Sequence, residues 1–329
     1  MRIRRLVIAP MVSALALLAA CGGGQGSGAD GEEAPVKLSV VSAFDREDPL
    51  MKGFWLFEEK LKEEAPWVTL DYRGGTEVMA SDQLGEGVST GGIDMAATGA
   101  TFHSQNVPMA RAMVMSPLTA KEEREKGATD LLAEAHNKAG IHYVGRMAEG
   151  VPYKLYFREE VNPLKLSGKS IRTSPVYVGL LEALGAGPVA MPPGEIYGAL
   201  ERGVVDGYGW PALGVVASGW GDVTGYETSA SFYQMDTVII MNADKWSSLD
   251  EKTQEAVNKA ILETEDELGD LYQELLEADA KEREGAGIKV IEMSEADTEE
   301  FVKKADEAGW SSVLSRAPEA QQLRDIYGN

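Results

Sequence analysis

The sequence predicts an α/β fold of two lobes, with one long helix that spans both of them. Two observations lead to this expectation. Segments with strand character alternate with helical segments along almost the whole chain, which favours largely parallel sheets covered by helices. In addition, residues 253–284 form one long, charged, amphipathic segment. A charged helix of this length suits an element between two lobes better than a helix inside a core.

The first half of the chain contains one set of alternating strands and helices. Apolar alternation in 36–42 and 68–72 is typical of strands, and apolar residues recur at helical spacing in 49–64. The expected strands of this half are 36–42, 68–72, 92–97 and 141–145, and the expected helices are 49–64 and 121–139.

The pattern continues with new members after residue 150. Gly185 and Gly203 each follow a helical segment, in the position where glycine often ends a helix. The expected strands are 153–158, 170–173, 189–191, 232–241 and 288–292, and a further segment begins at 204–206. The expected helices are 176–184, 193–202, 253–284 and 294–326. We assign 36–149 and 238–277 to lobe I, and 150–237 and 278–329 to lobe II.

The N-terminus predicts export and lipidation. Three arginines precede a mostly apolar stretch over 6–18, and small residues then lead to Cys21, so residues 1–20 are typical of a secretory signal peptide. The end of this segment is similar to a bacterial lipobox, in which the cysteine is diacylated and becomes the new N-terminus. An ordinary signal with a chance cysteine is the alternative. The glycine-rich stretch 21–35 predicts a lipidated flexible tether. We therefore expect a domain anchored in the periplasm or at the outer face of the cytoplasmic membrane.

The composition excludes several classes of partner and site. The formal net charge of -22 falls to -25 when 1–20 is removed, because that segment contains three arginines and no acid. Nucleic acid and anionic lipid surfaces both require a basic face, so neither is expected as a partner. Cys21 is the only cysteine, which excludes a disulfide framework. No later stretch approaches 18 uninterrupted apolar residues, so we expect no spanning helix in the mature chain.

Arg172 is the sharpest candidate for a ligand-binding residue. It lies in the predicted strand 170–173, and its guanidinium group offers two planar donors to a carboxylate. A structural arginine at the surface or in an ion pair is the alternative. Trp210 offers an aromatic wall, with a buried core tryptophan as the alternative.

The strand ends supply the remaining candidates. Ligands of α/β sheets bind at the carboxyl ends of strands, so two facing lobes are expected to bring the ends at 42–44, 98–102, 172–174 and 208–210 into one cleft. Tyr153, near the start of another predicted strand, adds an aromatic side chain. The further candidates are Phe44, Thr101, Phe102, Tyr153, Ser174 and Tyr208.

Catalytic and cofactor motifs are incomplete. The stretch 168–170 copies the end of a phosphate-binding P-loop, but Pro163 stands where that pattern requires glycine. The stretch 87–91 matches a nucleophile elbow, but no strand precedes it. The chain has three histidines, and no His/Asp/Glu cluster has metal-ligand spacing. The acids left for an enzyme mechanism are Glu195, Asp206 and Asp236. We therefore expect no enzyme, no cofactor and no metal.

Short linked motifs occur along the chain. They are Gly168-Lys-Ser-Ile-Arg172, Leu184-Gly-Ala-Gly-Pro188, Glu195-Ile-Tyr197, Ala199-Leu200 and Gly203-Val-Val-Asp206-Gly207, with Asp82-Gln-Leu-Gly85 and Gly91-Gly-Ile-Asp-Met95 upstream. Together they resemble the solute receptors of TRAP transporters, the tripartite ATP-independent periplasmic systems with receptors of the dicarboxylate-receptor type. The resemblance covers nearly the whole mature chain. It implies a two-lobed, periplasmic-binding-protein-like fold with crossing strands and a long helix.

The resemblance also implies roles for single residues. Arg172 falls on the arginine that binds the ligand's carboxylate, and Trp210 falls on a ligand-facing position. Receptors for acidic sugars or four-carbon dicarboxylates often have asparagine there, whereas relatives resembling keto-acid receptors have tryptophan, preceded by a glutamate that helps to hold a metal. In this chain the preceding residue is Gly209, so that metal ligand is missing. The second arginine of many relatives falls near Tyr153 and is also missing.

The function implied is that of a receptor for a small organic acid anion, delivered to TRAP membrane permease subunits. One arginine among several aromatic residues favours a monocarboxylate, such as a keto, hydroxy or aromatic acid. The alternatives are a dicarboxylate receptor and a ligand sensor without transport. The expected mechanism is hinge closure, in which the carboxylate bonds Arg172 in one lobe and the edge at 98–102 of the other lobe shuts over the ligand.

Overall fold

The computed structural model describes residues 33–328, so the predicted signal peptide, Cys21 and most of the predicted tether lie outside the described residues. The strands in this range are β1 (Val36–Ser42), β2 (Val68–Gly74), β3 (Met95–Gly99), β4 (Ile141–Arg146), β5 (Pro152–Phe157), β6 (Ser170–Thr173), β7 (Gly187–Ala190), β8 (Gly207–Pro211), β9 (Tyr226–Thr228), β10 (Phe232–Gln234), β11 (Thr237–Asn242) and β12 (Lys289–Ile291). The α-helices are α1 (Lys52–Glu64), α2 (Leu84–Ser89), α3 (Ala120–Glu125), α4 (Ala128–Lys138), α5 (Val178–Ala183), α6 (Ile196–Glu201), α7 (Ala243–Ser248), α8 (Glu251–Gly285), α9 (Glu295–Leu314) and α10 (Gln321–Tyr327).

The first sheet has five strands in the order β2-β1-β3-β11-β4. Strand β1 is parallel to both β2 and β3, whereas β11 is antiparallel to both β3 and β4. Successive side chains point to opposite faces, so Val41 and Val238 enter one apolar cluster while Val40 and Ile239 enter another. The sheet is therefore covered on both faces, and every residue of β3 and β11 is buried.

The second sheet has the order β12-β9-β5-β8-β6-β7, and β10 pairs with β5 off this path. Strand β6 lies between β7 and β8 and is parallel to both. Strand β5 is antiparallel to β8, β9 and β10. This arrangement places the short strand β6, which contains Arg172, inside the sheet and next to the strand that contains Trp210. Two mixed sheets, each with its own helices, confirm the predicted α/β fold of two lobes.

The single strand predicted over 232–241 is wrong. The segment forms two short strands in different sheets, β10 in the second and β11 in the first. Tyr233 has a φ of 46°, a left-handed conformation that is uncommon for a residue with a side chain, and the pairing of β10 with β5 shifts register there. Met235 and Asp236 then carry the chain from one sheet to the other. Because the residues on both sides of Met235 and Asp236 are largely apolar, the sequence pattern did not indicate this break.

Other predicted boundaries were also wrong. The helix expected over 121–139 is divided into α3 and α4 at Gly127, which has a φ of 81°. The segment 294–326 is divided by a 3-10 turn that begins at Pro318. The strand expected over 92–97 starts later, at Met95, because Asp94 instead accepts hydrogen bonds from the backbone and hydroxyl of Ser39. The elements that were not predicted include β9, α2, α7 and the 3-10 helix Pro108–Met115.

Helix α8 belongs to the cores of both lobes. It begins at Glu251, with Asp250 as its N-cap, and runs for 35 residues. Val257 and Ile261 in its first half pack in the cluster of the first sheet, whereas Leu268 and Tyr272 pack in a cluster with Tyr208 of the second. The helix therefore spans both lobes, as predicted. Among the described residues, no helix is both long and apolar enough to cross a membrane.

The C-terminal segment also crosses between the lobes. Phe301 and Ala305 of α9 pack in a cluster of the second sheet, but the residues that follow pack in a cluster of the first. The residues of this second group are Trp310, Val313, Ala317, Ala320, Leu323 and Tyr327. The predicted assignment of all of 278–329 to lobe II does not account for this packing, and the division of the chain between the lobes remains a prediction.

Candidate functional site

Arg172 is buried inside the second sheet. It is the third residue of β6 and pairs with Val189 of β7 and Tyr208 of β8. Only 4% of the residue is exposed. Burial of a cation is costly unless a counter-charge or hydrogen bonds compensate it, so the contacts of its guanidinium group decide what the residue does.

The contacts of Arg172 within the protein are all to uncharged oxygen atoms. Nε donates to the backbone oxygen of Met191 at 3.1 Å, and Nη1 donates to the hydroxyl of Tyr177 at 3.1 Å and to the backbone oxygen of Gly209 at 3.4 Å. No carboxylate of residues 33–328 forms an ion pair with this arginine, and its Nη2 has no hydrogen bond to that part of the chain. The charge is therefore held in place but not neutralised.

Tyr177 and Gly209 together fix the arginine. The hydroxyl of Tyr177 donates to the backbone oxygen of Gly209 at 2.6 Å. A Cβ atom at position 209 would lie 2.5 Å from the ring of Tyr177, so only glycine leaves room for that ring. The glutamate expected from the resemblance to metal-holding relatives would not fit here without displacing Tyr177. Sequence reasoning missed Tyr177, since it lies just before α5 and belongs to none of the recognised motifs.

Trp210 lies beside the arginine. The Cζ atom of Arg172 is 5.4 Å from the centroid of the Trp210 ring, close enough for a cation–π contact. Trp220 packs edge-on against Trp210, with the two ring centroids 4.8 Å apart. Trp210 is 9% exposed, and its Nε1 donor is buried without a hydrogen-bond partner among the described residues. The site thus combines an unneutralised cation with an unused neutral donor.

Thr101, Phe102 and Phe44 are grouped at the edge of the first lobe. The backbone N–H of Thr101 donates to Oδ2 of Asp236 at 2.7 Å, and its hydroxyl bonds the same oxygen. The rings of Phe102 and Phe44 are 6.3 Å apart. Phe44 packs against clusters of both lobes, so it lies at the boundary between them.

Tyr153 connects the two groups. Its ring lies 6.0 Å from that of Tyr177 and 5.9 Å from that of Phe232. Burial raises the pKa of the Tyr153 hydroxyl well above its usual value; the charges of Asp236 and Tyr177 also raise it, and that of Arg172 lowers it. Tyr153 is therefore within electrostatic range of both the arginine in the second sheet and the acid next to Thr101.

The side chains of two predicted site residues, Tyr208 and Ser174, take no part in the contacts between candidates described above. Tyr208 is fully buried in the core of the second lobe, where its hydroxyl lies 2.9 Å from that of Thr224 and its ring stacks on Tyr156 at 5.0 Å. Tyr208 thus packs in the core of the second lobe, and its contact with a ligand stays a prediction. Ser174 is half-buried directly after β6, and its backbone oxygen accepts a hydrogen bond from Thr173.

Two histidines form a buried pair below the Thr101 loop. Nε2 of His103 lies 2.9 Å from Nε2 of His136, and both residues are fully buried. Each Nδ1 atom faces a backbone oxygen, that of Gly99 at 3.2 Å and that of Leu132 at 2.7 Å. Burial lowers the pKa of His136 to about 4 and that of His103 well below its usual value, so the pair is neutral at pH 7. Within residues 33–328, no group of three or more His, Cys, Asp or Glu side chains could hold a metal ion.

Surface depressions lie apart from these residues. One of about 530 Å³ is lined by Glu160, Val161, Asn162, Pro163, Leu164, Ile291, Glu292, Met293 and Asp297. A smaller one of about 100 Å³ includes Arg158, Lys169 and Asp206. Neither contains Arg172 or Trp210, and the candidate site is defined here by the uncompensated charge of Arg172 and the unpartnered Nε1 of Trp210.

Two lobes that share helix α8, and a buried arginine without a carboxylate partner among residues 33–328, are the features expected of an extracytoplasmic solute-binding protein. The chain belongs to the bacterial extracellular solute-binding protein family 7 (DctP), whose profile matches residues 41–312. The family consists of solute receptors of TRAP systems and not of enzymes, so the predicted family and the absence of enzyme function are confirmed.

Similar proteins cover most of the chain. A solute-binding protein of Roseobacter denitrificans is 26% identical over 291 residues, which are 82% of this chain and 89% of that protein. The ectoine-binding periplasmic protein TeaA of Halomonas elongata is 22% identical over 268 residues, 78% of each chain. Among solved structures, a TRAP periplasmic solute-binding protein of Desulfovibrio salexigens with bound orotic acid has a TM-score of 0.79 and 19% identity, covering 88% of this chain and 97% of that one. The pyroglutamic acid receptor DctP7 of Bordetella pertussis has a TM-score of 0.78 and 18% identity, covering 89% and 100%.

Proposed function

We propose that this protein captures a small monocarboxylate by hinge closure and delivers it to the membrane permease of a TRAP system. Arg172 binds the carboxylate, while Trp210 and Tyr153 line the ligand on the side of the second lobe. Thr101, Phe102 and Phe44 cover it from the first lobe. The ligand stabilises the closed form because only that form makes both sets of contacts.

The observation that carries this proposal is the state of Arg172. A buried guanidinium with three neutral acceptors and no carboxylate partner in the described chain is incompletely compensated. An anionic ligand supplies the missing charge, and a carboxylate matches the geometry of the guanidinium fork. The unpartnered Nε1 of Trp210 provides a second donor near the same point.

A single carboxylate suits the site better than two. Lys154, which lies near the place of the second arginine in many relatives, is already paired with Glu227 at 3.2 Å. The similar structures from Desulfovibrio salexigens and Bordetella pertussis bind orotic acid and pyroglutamic acid, and each of these compounds carries one carboxyl group. These similarities agree with a monocarboxylate receptor. The lipid anchor on Cys21 is part of the same proposal, since it would keep the receptor near its permease.

Isothermal calorimetry with Arg172→Ala tests the proposal. We expect the wild type to bind at least one small monocarboxylate, and the variant to lose at least about 100-fold in affinity, since a charge-assisted pair is removed from a buried site. Arg202→Ala is the matched control, because Arg202 is an exposed arginine of the same lobe. Retained affinity in Arg172→Ala, or a preference for succinate or malate over every monocarboxylate, would refute the assignment. Small-angle scattering with and without ligand should show compaction in the wild type.

Labelling tests the anchor separately. Growth of an expressing bacterium with a radioactive fatty acid should label the wild-type protein, and Cys21→Ser should remain unlabelled. An unlabelled wild-type protein would exclude the anchor without affecting the assignment of the ligand site.

A further inference from the structure

Asp236 is a buried acid at the point where the chain passes from the second sheet to the first. It is 3% exposed and directly precedes β11. Its Oδ2 accepts two hydrogen bonds from Thr101, one from the backbone N–H and one from the hydroxyl. The backbone oxygen of Asp236 accepts a further bond from Ala100 at 2.9 Å. One carboxylate oxygen is therefore fixed by the loop that the proposed function places over the ligand.

The second carboxylate oxygen receives no donor from another residue. Oδ1 of Asp236 has no hydrogen bond to another residue in the described range 33–328, and the acid forms no ion pair there. The one further bond to this carboxylate comes from the backbone N–H of Asp236 itself. Oδ1 lies beside the α-carbon of Gly99, where an added Cβ would be 3.4 Å from Oδ1 and 3.1 Å from the ring of Phe102. The free oxygen and the Phe102 ring therefore meet on the same side of the loop.

Tyr153 connects Asp236 with the surroundings of Arg172. Its ring lies 6.0 Å from that of Tyr177, whose hydroxyl bonds Arg172. On the other side, Met235, which directly precedes Asp236, donates its backbone N–H to Val151, two residues before Tyr153. In agreement with this, Asp236 raises the pKa of the Tyr153 hydroxyl and Arg172 lowers it.

Arg111 and Arg146 are the cations in electrostatic range of Asp236. Neither lies at ion-pair distance from it: Arg111 bonds Ser312 and Pro175, whereas Arg146 is paired with Glu123. Asp236 therefore keeps an acceptor for a ligand.

We propose that Asp236 selects the ligand, accepting a hydrogen bond from an N–H or O–H group that the ligand carries in addition to its carboxylate. This inference rests on the proposed function, because it assumes that Arg172 binds the carboxylate. Hydroxy acids, amino acids and cyclic amide acids have the required donor. Simple 2-oxo acids lack one, so Asp236 narrows the class of monocarboxylates to those that bear a donor.

The same residue disfavours diacids. A second carboxylate of the ligand would meet the carboxylate of Asp236 in a buried place, and like charges there repel. Burial already raises the pKa of Asp236 above its usual value, even though the bonds from Thr101 lower it. A further negative charge nearby would add to this cost. The site therefore favours a ligand with one negative charge, which Arg172 binds, and one donor group, which Asp236 accepts.

Matched pairs of acids provide the test. In each pair, the first acid has a hydroxyl group, which can donate a hydrogen bond, where the second has a keto oxygen, which can only accept one. The pairs are lactate and pyruvate, 2-hydroxyisovalerate and 2-oxoisovalerate, and mandelate and phenylglyoxylate. Calorimetry on the full-length mature protein should give at least about tenfold tighter binding of the hydroxy acid in the pair that binds best, because the oxo acid would leave Oδ1 without a donor.

Asp236→Asn reverses the polarity of this contact. The amide oxygen of asparagine can still accept both bonds from Thr101, whereas its NH₂ group takes the place of the free oxygen. The hydroxy-to-oxo affinity ratio should fall to about one or invert. Arg202→Ala should leave the ratio unchanged, and thermal melting checks that both variants are folded.

The outcomes separate the two proposals. Both proposals are supported if Arg172→Ala loses binding of both acids of a pair and Asp236→Asn changes the hydroxy-to-oxo affinity ratio. A wild type that binds the oxo acid equally well or better overturns the role of Asp236 but leaves the receptor function intact. An unchanged ratio in a folded Asp236→Asn protein does the same. Affinity retained in Arg172→Ala instead overturns the proposed function.

Discussion

Arg172 is a buried cation held in place by neutral groups. Three neutral oxygen atoms fix the orientation of its guanidinium group without cancelling its charge. One of these oxygens, the hydroxyl of Tyr177, is itself fixed by the backbone of Gly209. A charge oriented before the ligand arrives loses little entropy on binding, which favours affinity.

The close packing at Gly209 leads to a first prediction. Gly209→Ala should lower the free energy of unfolding by about 1–3 kcal/mol, because the new methyl group would lie 2.5 Å from the Tyr177 ring and must displace it. The displaced ring no longer orients Arg172, so ligand affinity should fall as well. Gly194→Ala is the control, since a Cβ there meets nothing within 4 Å. Urea unfolding of the two variants is the measurement, and equal stabilities would contradict the prediction.

The sequence revealed some of these residues and not others. Arg172 and Trp210 could be predicted because both lie in short motifs at strand ends. Tyr177 could not, because its role depends on Gly209, 32 positions away, which presents no local pattern. Asp236 was considered only as a base for an enzyme, since its bonds to Thr101 span 135 positions.

Helix α8 is held to each lobe by buried ion pairs. On the side of the first lobe, Glu265 is bonded by Arg124 and by the backbone N–H of Arg146. On the side of the second, Arg283 bonds Asp279 and lies 2.7 Å from Glu227. Periodicity predicted the length of this helix well, because a charged amphipathic pattern continues through it. It could not show which charges are buried, since that depends on the strands packed against the helix.

The network around Arg283 provides a prediction for this element. Arg283→Ala should reduce the free energy of unfolding by about 3 kcal/mol, because it leaves Asp279 buried without a cation while Glu227 keeps only Lys154. Lys62→Ala removes an exposed pair with Glu58 within α1 and should cost no more than about 1 kcal/mol. Chemical denaturation compares the two, and a similar small loss in both would show that the Arg283 network does not stabilise the lobe.

The strand predicted over 232–241 shows why connectivity was harder to predict than elements. Its apolar residues fit one continuous strand, and only the packing of both lobes shows that β10 and β11 belong to different sheets. The break at Met235 and Asp236 has no glycine or proline to indicate it. The class of fold could be predicted because strand and helix segments alternate, which is a local pattern. The point at which the chain crosses from one sheet to the other depends on the packing of both lobes.

At the scale of the whole molecule, stability depends on histidines that are kept neutral. Burial lowers the pKa of all three, that of His136 and His142 to about 4 and that of His103 well below its usual value. In the unfolded chain they titrate near pH 6.5. Between these values the unfolded state binds more protons than the folded state, so acidification destabilises the fold through these groups.

A comparison at two pH values tests this contribution. Lowering the pH from 7 to 5 should cost the wild type about 2 kcal/mol through His136 alone, and His136→Gln should escape that part of the loss. Asp48, whose pKa burial raises to about 6, acts in the opposite direction in both proteins and cancels in the difference. Urea unfolding at both pH values gives the result, and identical pH dependence in wild type and variant would exclude the effect.

The path of the C-terminus has a consequence for biogenesis. The core of the first lobe needs β11 and also the segment from Trp310 to Tyr327, which follows every other part of that core along the chain. This core therefore cannot close until the segment has been made. In a member of an extracellular family, such late completion of a core helps the chain to remain competent for translocation across the membrane.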